Sequence, residues 1–221
     1  MGMPMGSFLL RPPGVYTPQQ DTDLLIAALS REDVGSGTEV LDLGTGSGAL
    51  AVRAARRGAR VTAVDIDRRA VLTTRVNALR YGRRVRVRRG DLFTAVPGRS
   101  YDFVVSNPPY VPSPAARPPR RGPARAWDAG PDGRVFVDRI CDAAPGALRP
   151  GGVLLIVHSA LCGIRPSLDR LTAAGIDAEV TDRAVIPLGP VLRDRHQWLR
   201  RRGLLSDDNR EELVVIRAQR S

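Results

Sequence analysis

An asparagine, two prolines and a tyrosine, Asn107-Pro108-Pro109-Tyr110, close an apolar run from residue 101 to 106. Such a tetrapeptide can serve simply as a turn between strand and loop, and its types and order also suit it to hold a flat –NH2 group. The side-chain oxygen of Asn107 and the backbone carbonyl of Pro108 can each accept one N–H. The proline rings fix φ and push each preceding residue out of the helical region, so the spacing of the two acceptors stays constant. Tyr110 then offers a flat face to a planar amide. An amide nitrogen is a poor nucleophile, because its lone pair is delocalised into the carbonyl. Orientation is therefore what such a clamp contributes, and orientation can be worth several kcal/mol of barrier.

A second group of residues surrounds a glycine turn, "LDLGTGSGA" at 41–49. The run Gly44-Thr45-Gly46-Ser47-Gly48-Ala49 satisfies the dinucleotide fingerprint G-x-G-x-x-A, and Asp65 lies about twenty residues on, as a ribose-binding carboxylate should. Alone, this pattern would suit a nicotinamide cofactor. Three further residues favour another ligand. Asp42 precedes the first glycine, where a carboxylate can face a cationic amino-acid moiety. Asp91 sits in "GDLF", where it can accept from an adenine amino group, and Asn107 closes the fourth strand. A rim of Asp42, Asp65, Asp91 and Asn107 suits a ligand carrying an ammonium, ribose hydroxyls and adenine, and S-adenosylmethionine is such a ligand.

These residues need a sheet to align them. Apolar runs alternate with helical patterns, the rhythm of a parallel α/β sheet. Strands are expected at 39–44, 60–67, 84–93, 101–107, 151–159, 176–188 and 211–219, and helices at 48–58, 68–82, 134–148 and 162–174. Ahead of them, 17–30 carries helix-start chemistry, with Thr17 as a cap, Pro18 in the first turn and a stripe of Leu24, Leu25 and Leu29. Two irregular segments interrupt the order: a Pro/Arg-rich loop at 111–133 and a basic insertion at 189–210. The expected organisation is one domain over 1–221, with 1–37 as an N-terminal segment and helix.

Composition narrows the classes. The chain has 221 residues, enough for one well-cored α/β domain, and a formal net charge of +11 carried entirely by arginine. Lysine is absent, a usage that fits a GC-rich coding sequence, yet the positive field would still attract nucleic acid, a ribosome or acidic partners. No apolar run is long enough for a membrane span, and no secretory signal is seen, so a cytoplasmic location is expected. Cys141 and Cys162 are read as reduced buried thiols. His158 reads as a packed, hydrogen-bonded side chain and His196 as a solvated one. With two distant histidines and two distant cysteines, no metal site is expected. Trp127, in the loop after the clamp, either covers the substrate or anchors the loop.

"LDLGTGSG", "VDID", "GDLF" and "SNPPYV" together resemble class I S-adenosylmethionine-dependent methyltransferases of the HemK group. That group methylates the glutamine side chain of the Gly-Gly-Gln motif in translation release factors. "VYTPQQDTDLL" (15–25) and "RAWDAGPDGRVFVDRI" (125–140) are similar to the short branch, typified by eukaryotic and archaeal enzymes. The resemblance implies a doubly wound, mostly parallel seven-stranded Rossmann-like sheet with an antiparallel last strand. It implies that Thr22, Asp42, Gly44, Gly46, Asp65, Asp91, Leu92 and Asn107 line the S-adenosylmethionine site, and that Asn107, Pro108 and Tyr110 meet the substrate. It leaves 189–210 without a counterpart. Short-branch enzymes often pair with a small zinc-binding activator along an apolar third strand, and the arginine-rich "RVRVRR" makes that partner doubtful here. The same two acceptors would also serve adenine N6 in DNA or RNA, with the arginines of 117–125 and 193–202 as a basic channel. Low aromatic content and the absence of a target-recognition domain place the protein substrate ahead.

Overall fold

The computed structural model describes residues 9–205 and 209–221. The first eight residues of the expected N-terminal segment, and three of the 189–210 insertion, lie outside the described residues.

Seven strands form one sheet: β1 (Glu39–Leu43), β2 (Arg60–Asp65), β3 (Val85–Arg89), β4 (Tyr101–Ser106), β5 (Leu148–Ser159), β6 (Ile176–Pro187) and β7 (Arg210–Arg220). Their spatial order is β3-β2-β1-β4-β5-β7-β6. β1 runs parallel to both β2 and β4, and β4 parallel to β5. β7 runs antiparallel to both β5 and β6. This is the expected class I methyltransferase sheet. Between β1 and β4 the strand order reverses, and there the chain leaves β1 for the glycine turn and β4 for Asn107. Open α/β sheets bind ligands at such a switch point, so topology alone brings the two motifs side by side.

Helices cover both faces: α1 (Gln20–Arg31), α2 (Ala49–Arg56) and α3 (Arg68–Arg80) on one, α4 (Val135–Ala147) and α5 (Ile164–Ala173) on the other. The central strands are buried on both sides, which is why they read as continuous apolar runs rather than alternating ones. In β1, Val40 joins the core under α1 and α2, while Leu41 and Leu43 join the core under α4.

Several boundaries differ from the sequence reading. Thr17 does not cap α1; the helix starts at Gln20, and its cap residue Gln19 makes no side-chain capping bond. The helix rests instead on Leu25, Ala28 and Leu29, spaced to one face and buried. Full burial of each leucine is worth about 1.5–3 kcal/mol, more than a missing cap of about 1 kcal/mol. β3 stops at Arg89, and Leu92–Ala95 forms a short 3-10 turn. The Gly90 amide makes the last rung of the β2–β3 ladder, to the carbonyl of Asp65 at 3.0 Å, and the chain then leaves the sheet. β5 begins three residues early, at Leu148.

The insertion is not irregular. It carries two short helices, α6 (Pro190–Asp194) and α7 (His196–Arg201), whose Leu192 and Leu199 pack with Leu188 and Leu205 in a small core of their own. His196 is half-buried there, and its Nε2 finds no partner among the described residues, so it is not the solvated side chain expected. No helix among the described residues is long and apolar enough to cross a membrane. Cys141 and Cys162 are both free and buried.

Candidate active site

A cavity of about 1050 Å3 opens at the C-terminal ends of β1, β2 and β4. Gly44, Gly46, Asp65, Asp91, Leu92, Asn107, Pro108 and Tyr110 all line it. The two remaining residues singled out from sequence, Thr22 and Asp42, are buried behind this lining.

The turn after β1 is glycine-rich because its backbone is left-handed at Gly44 (φ 68°), Gly46 (φ 55°) and Gly48 (φ 85°), a region open to glycine at little cost. At Gly48 space is also short, since a Cβ there would lie 2.8 Å from Thr74 Cγ2. Asp42 holds this turn from below. Its Oδ2 accepts from Thr45 Oγ1 at 2.6 Å and from the Ala51 amide at 3.1 Å, which ties the turn to α2. Burial raises its pKa to about 7. Asp42 thus supports the turn and does not face the cavity, because Thr45 folds over it. Asp65 does face the cavity, and its two oxygens accept from the backbone amides of Gly46 at 2.9 Å and Asp67 at 2.8 Å. Burial pushes its pKa up, against those hydrogen bonds.

Asp91 and Leu92 form the next part of the rim. Asp91 pairs with Arg139 of α4 at 2.7 Å, with both side chains partly exposed. Leu92 is left-handed at φ 47°, costly for a branched, non-glycine residue, and such strain gathers where a side chain is aimed at a ligand.

The clamp is held by the start of α1. Asp21 Oδ2 accepts from the hydroxyls of Tyr16 at 2.5 Å and Tyr110 at 2.9 Å. Its Oδ1 accepts from the Thr22 amide at 2.6 Å and from Thr22 Oγ1 at 3.2 Å. Thr22 Oγ1 in turn accepts from Asn107 Nδ2 at 3.1 Å. One chain of bonds therefore links Tyr110 to Asn107 through Asp21 and Thr22. With the nitrogen of Asn107 engaged, its oxygen is the remaining acceptor, as the clamp requires. Burial, and then the charge of Asp21, raise the pKa values of both Tyr16 and Tyr110. Both phenols stay protonated and donate.

The loop after Tyr110 folds back tightly. The Val111 amide donates to Trp127 O at 2.8 Å, the Ala129 amide to Val111 O at 3.0 Å, and the Ser113 amide to Gly130 O at 2.9 Å. Gly133 passes so close beneath that a Cβ on it would lie 2.3 Å from the Tyr110 carbonyl. Trp127 lines the cavity and is half-buried.

Among the cavity residues given no role from sequence are Tyr16, Asp21 and Glu211. Tyr16 and Asp21 lie inside "VYTPQQDTDLL", where only Thr22 was assigned a role. Arg125 acts electrostatically on Asp65 across the cavity. Glu211, at the start of β7, carried no sequence signal; burial raises its pKa to about 7. His158 stands apart, fully buried, with Nδ1 2.9 Å from Ser159 O and Nε2 3.0 Å from Ser167 Oγ. A carbonyl only accepts, so Nδ1 carries the proton and Nε2 accepts, and burial lowers the pKa to about 4. It is a packed histidine, outside the cavity lining.

This sheet, with a glycine turn and an acidic rim at its switch point, defines a class I methyltransferase. The family described as "Methyltransferase small domain" matches residues 8–117. A Methanocaldococcus jannaschii protein, provisionally named a protein N5-glutamine methyltransferase, is 33% identical over 176 residues, covering 79% of this chain and 87% of that one. The release factor glutamine methyltransferase of Bordetella pertussis is 40% identical over 162 residues, and the match spans 70% of this chain but only 60% of that protein. Among solved structures, the E. cuniculi Mtq2–Trm112 complex, responsible for methylation of the eRF1 termination factor, contains a chain that superposes with a TM-score of 0.67 at 25% identity, covering 94% of this chain and 99% of that one. The chain belongs to the protein glutamine N5-methyltransferase family.

Proposed function

We propose that this protein transfers a methyl group from S-adenosylmethionine to the side-chain amide nitrogen of a glutamine in a protein, with the Gly-Gly-Gln motif of a release factor as the first acceptor. The observation that carries the reading is the chain of bonds from Tyr110 through Asp21 and Thr22 to Asn107, which turns the Asn107 oxygen into an acceptor beside the glycine turn.

The residues present fit the donor. Each oxygen of Asp65 uses one lone pair on a backbone amide and keeps another for a ribose hydroxyl. Gly44 and Gly46 leave the backbone open to close approach. Leu92 supplies an apolar edge, and Asp91 an acceptor, on the side of α4. When bound, S-adenosylmethionine supplies an already activated methyl group on a sulfonium sulfur.

The protein's share is placement. Asn107 Oδ1 and the Pro108 carbonyl accept the two N–H of the acceptor amide, and the proline pair keeps them at fixed spacing. Tyr110, anchored through its hydroxyl, holds its ring against the amide plane. Neither Tyr16 nor Tyr110 takes a proton before transfer, since burial and the charge of Asp21 keep both protonated. The names of the relatives support a protein acceptor. Trp127, Tyr16, Arg120 and Arg125 in the same lining would also serve a flipped adenine, so nucleic acid is tested in parallel.

The test is methyl transfer from labelled donor to a release factor, to its Gly-Gly-Gln→Gly-Gly-Ala variant, and to rRNA and DNA. Label in the release factor that vanishes with the glutamine is expected. Label in nucleic acid alone would overturn the reading.

A further inference from the structure

The helices α6 and α7 have no role in the function proposed above. Yet Gly189, Pro190, Val191 and Leu192 line the cavity, on the flank of β6 and across from the loop that follows the clamp. One residue joins this segment to that loop. Arg195, between the two helices, points its Nη1 at both the Pro112 carbonyl (2.9 Å) and Asp128 Oδ1 (2.6 Å). Only 20% of the Arg195 side chain and 8% of the Asp128 side chain are exposed. Pro112 lies two residues after Tyr110, and Asp128 pairs with Val111 in an isolated parallel bridge. The contact thus grips both arms of the fold-back directly behind Pro108 and Tyr110. Val111 also packs against the small core of Leu188, Leu192, Leu199 and Leu205.

We propose that the α6–α7 segment is the second wall of the acceptor side of the cavity, and that Arg195 is a positioning residue. It locks that wall to the arm carrying the Pro108 carbonyl and Tyr110. The proposal rests on the clamp reading above for what the arm does, but not for whether the lock exists. A desolvated guanidinium bonded to a carboxylate and a carbonyl is a strong tie, and hydrogen bonds to charged groups exceed neutral ones. Its geometry involves acceptor-side elements only, so its loss should be felt by the acceptor and not by the donor.

The experiment compares wild type, Arg195→Ala, Arg195→Lys and Asp128→Asn in two readouts. In the donor-loaded protein, hydrogen exchange at the amides of Val111, Ser113 and Ala129 should speed by about tenfold or more in Arg195→Ala. Methyl transfer to the release factor should fall by about 10- to 100-fold in kcat/KM, while donor Kd stays within about threefold. Arg195→Lys should recover most of both losses, because one ammonium can reach the same two oxygens. Arg195→Ala combined with Asp128→Asn should lose little beyond Arg195→Ala, since both remove one contact. Unchanged exchange at the three amides would overturn the proposal. So would donor affinity falling in step with acceptor turnover. If Arg195→Ala fails to fold, Asp128→Asn, which removes the same ion pair, gives the exchange readout in its place. Should wild type methylate no glutamine while the exchange shift is seen, the proposed function falls and the lock stands.

Discussion

Asp21→Asn tests whether α1 organises the clamp. The carboxylate is buried at 4% exposure, and its two oxygens take four bonds: two phenols on one, the amide and hydroxyl of Thr22 on the other. An asparagine keeps the shape but replaces one oxygen with a donor. Turned toward Thr22, its –NH2 would meet the backbone N–H, so it must face Tyr16 and Tyr110. The phenols can then accept, but their own hydrogens lose their partner. A hydrogen bond to a charged group is worth about 1.5–3 kcal/mol and a neutral one about 1 kcal/mol. Removing a buried charge returns part of its desolvation cost. The net expectation is a loss of about 2 kcal/mol of stability. Turnover should drop by about 10- to 100-fold, or about 1.4–2.7 kcal/mol of barrier, because the Tyr110 ring is no longer anchored. Donor Kd should hold within about threefold, since the bonds of Asp21 go to Tyr16, Thr22 and Tyr110 and none to the glycine turn, Asp65 or Asp91. Urea unfolding, calorimetric donor titration and single-turnover transfer with labelled donor measure the three quantities. Turnover within threefold of wild type, in a folded protein, would refute the argument that the bonded chain sets the clamp.

Four further outcomes are expected. Asn107→Ala should lower kcat by about 10²–10³, the usual cost of one preorganised hydrogen-bonding group, with donor binding largely kept; retained turnover would sink the role given to its oxygen. Gly48→Ala should cost about 2–4 kcal/mol in unfolding free energy, from a left-handed backbone and a 2.8 Å clash with Thr74. His158 is held near pKa 4 against an ordinary 6.5, so its neutral form contributes about 3 kcal/mol above pH 6.5 that is lost as pH falls through 4. Glu211 is raised from 4.5 to about 7 and works in the opposite sense, favouring the fold below pH 4.5 and ceasing to as pH rises through 7. Glu211→Gln should therefore steepen the acid limb of stability against pH, and His158→Gln should flatten it. Finally, β3 is an edge strand with Arg86, Arg88 and Arg89 exposed, so the purified chain should turn over without a zinc-binding subunit; activity only with such a subunit added would refute that reading.

The sheet was legible because each of its signals is local. Apolar runs of five or six residues, glycines at strand ends and the Pro108-Pro109 pair can each be read within a short window. Eight of the ten proposed site residues line one cavity for the same reason: they end strands that topology must align. What stayed hidden depends on distance. Asp21 meets Tyr110 across 89 positions, and Arg195 meets Asp128 across 67, and no periodicity encodes such a meeting. Asp42 was legible in place but not in direction, since whether a carboxylate faces a ligand or a turn is decided by Thr45 three residues on. The α6–α7 helices were obscured by their shortness, with one apolar anchor in each and arginines around them.

The antiparallel β7 has a consequence for how the chain is made. It fills the slot between β5 and β6, so until residues 210–220 emerge from the ribosome two strands wait with bare amide and carbonyl rows facing each other. The nascent protein must tolerate that gap from the emergence of β6 until β7 follows, and removal of residues 210–220 would leave the sheet split in two rather than merely trimmed.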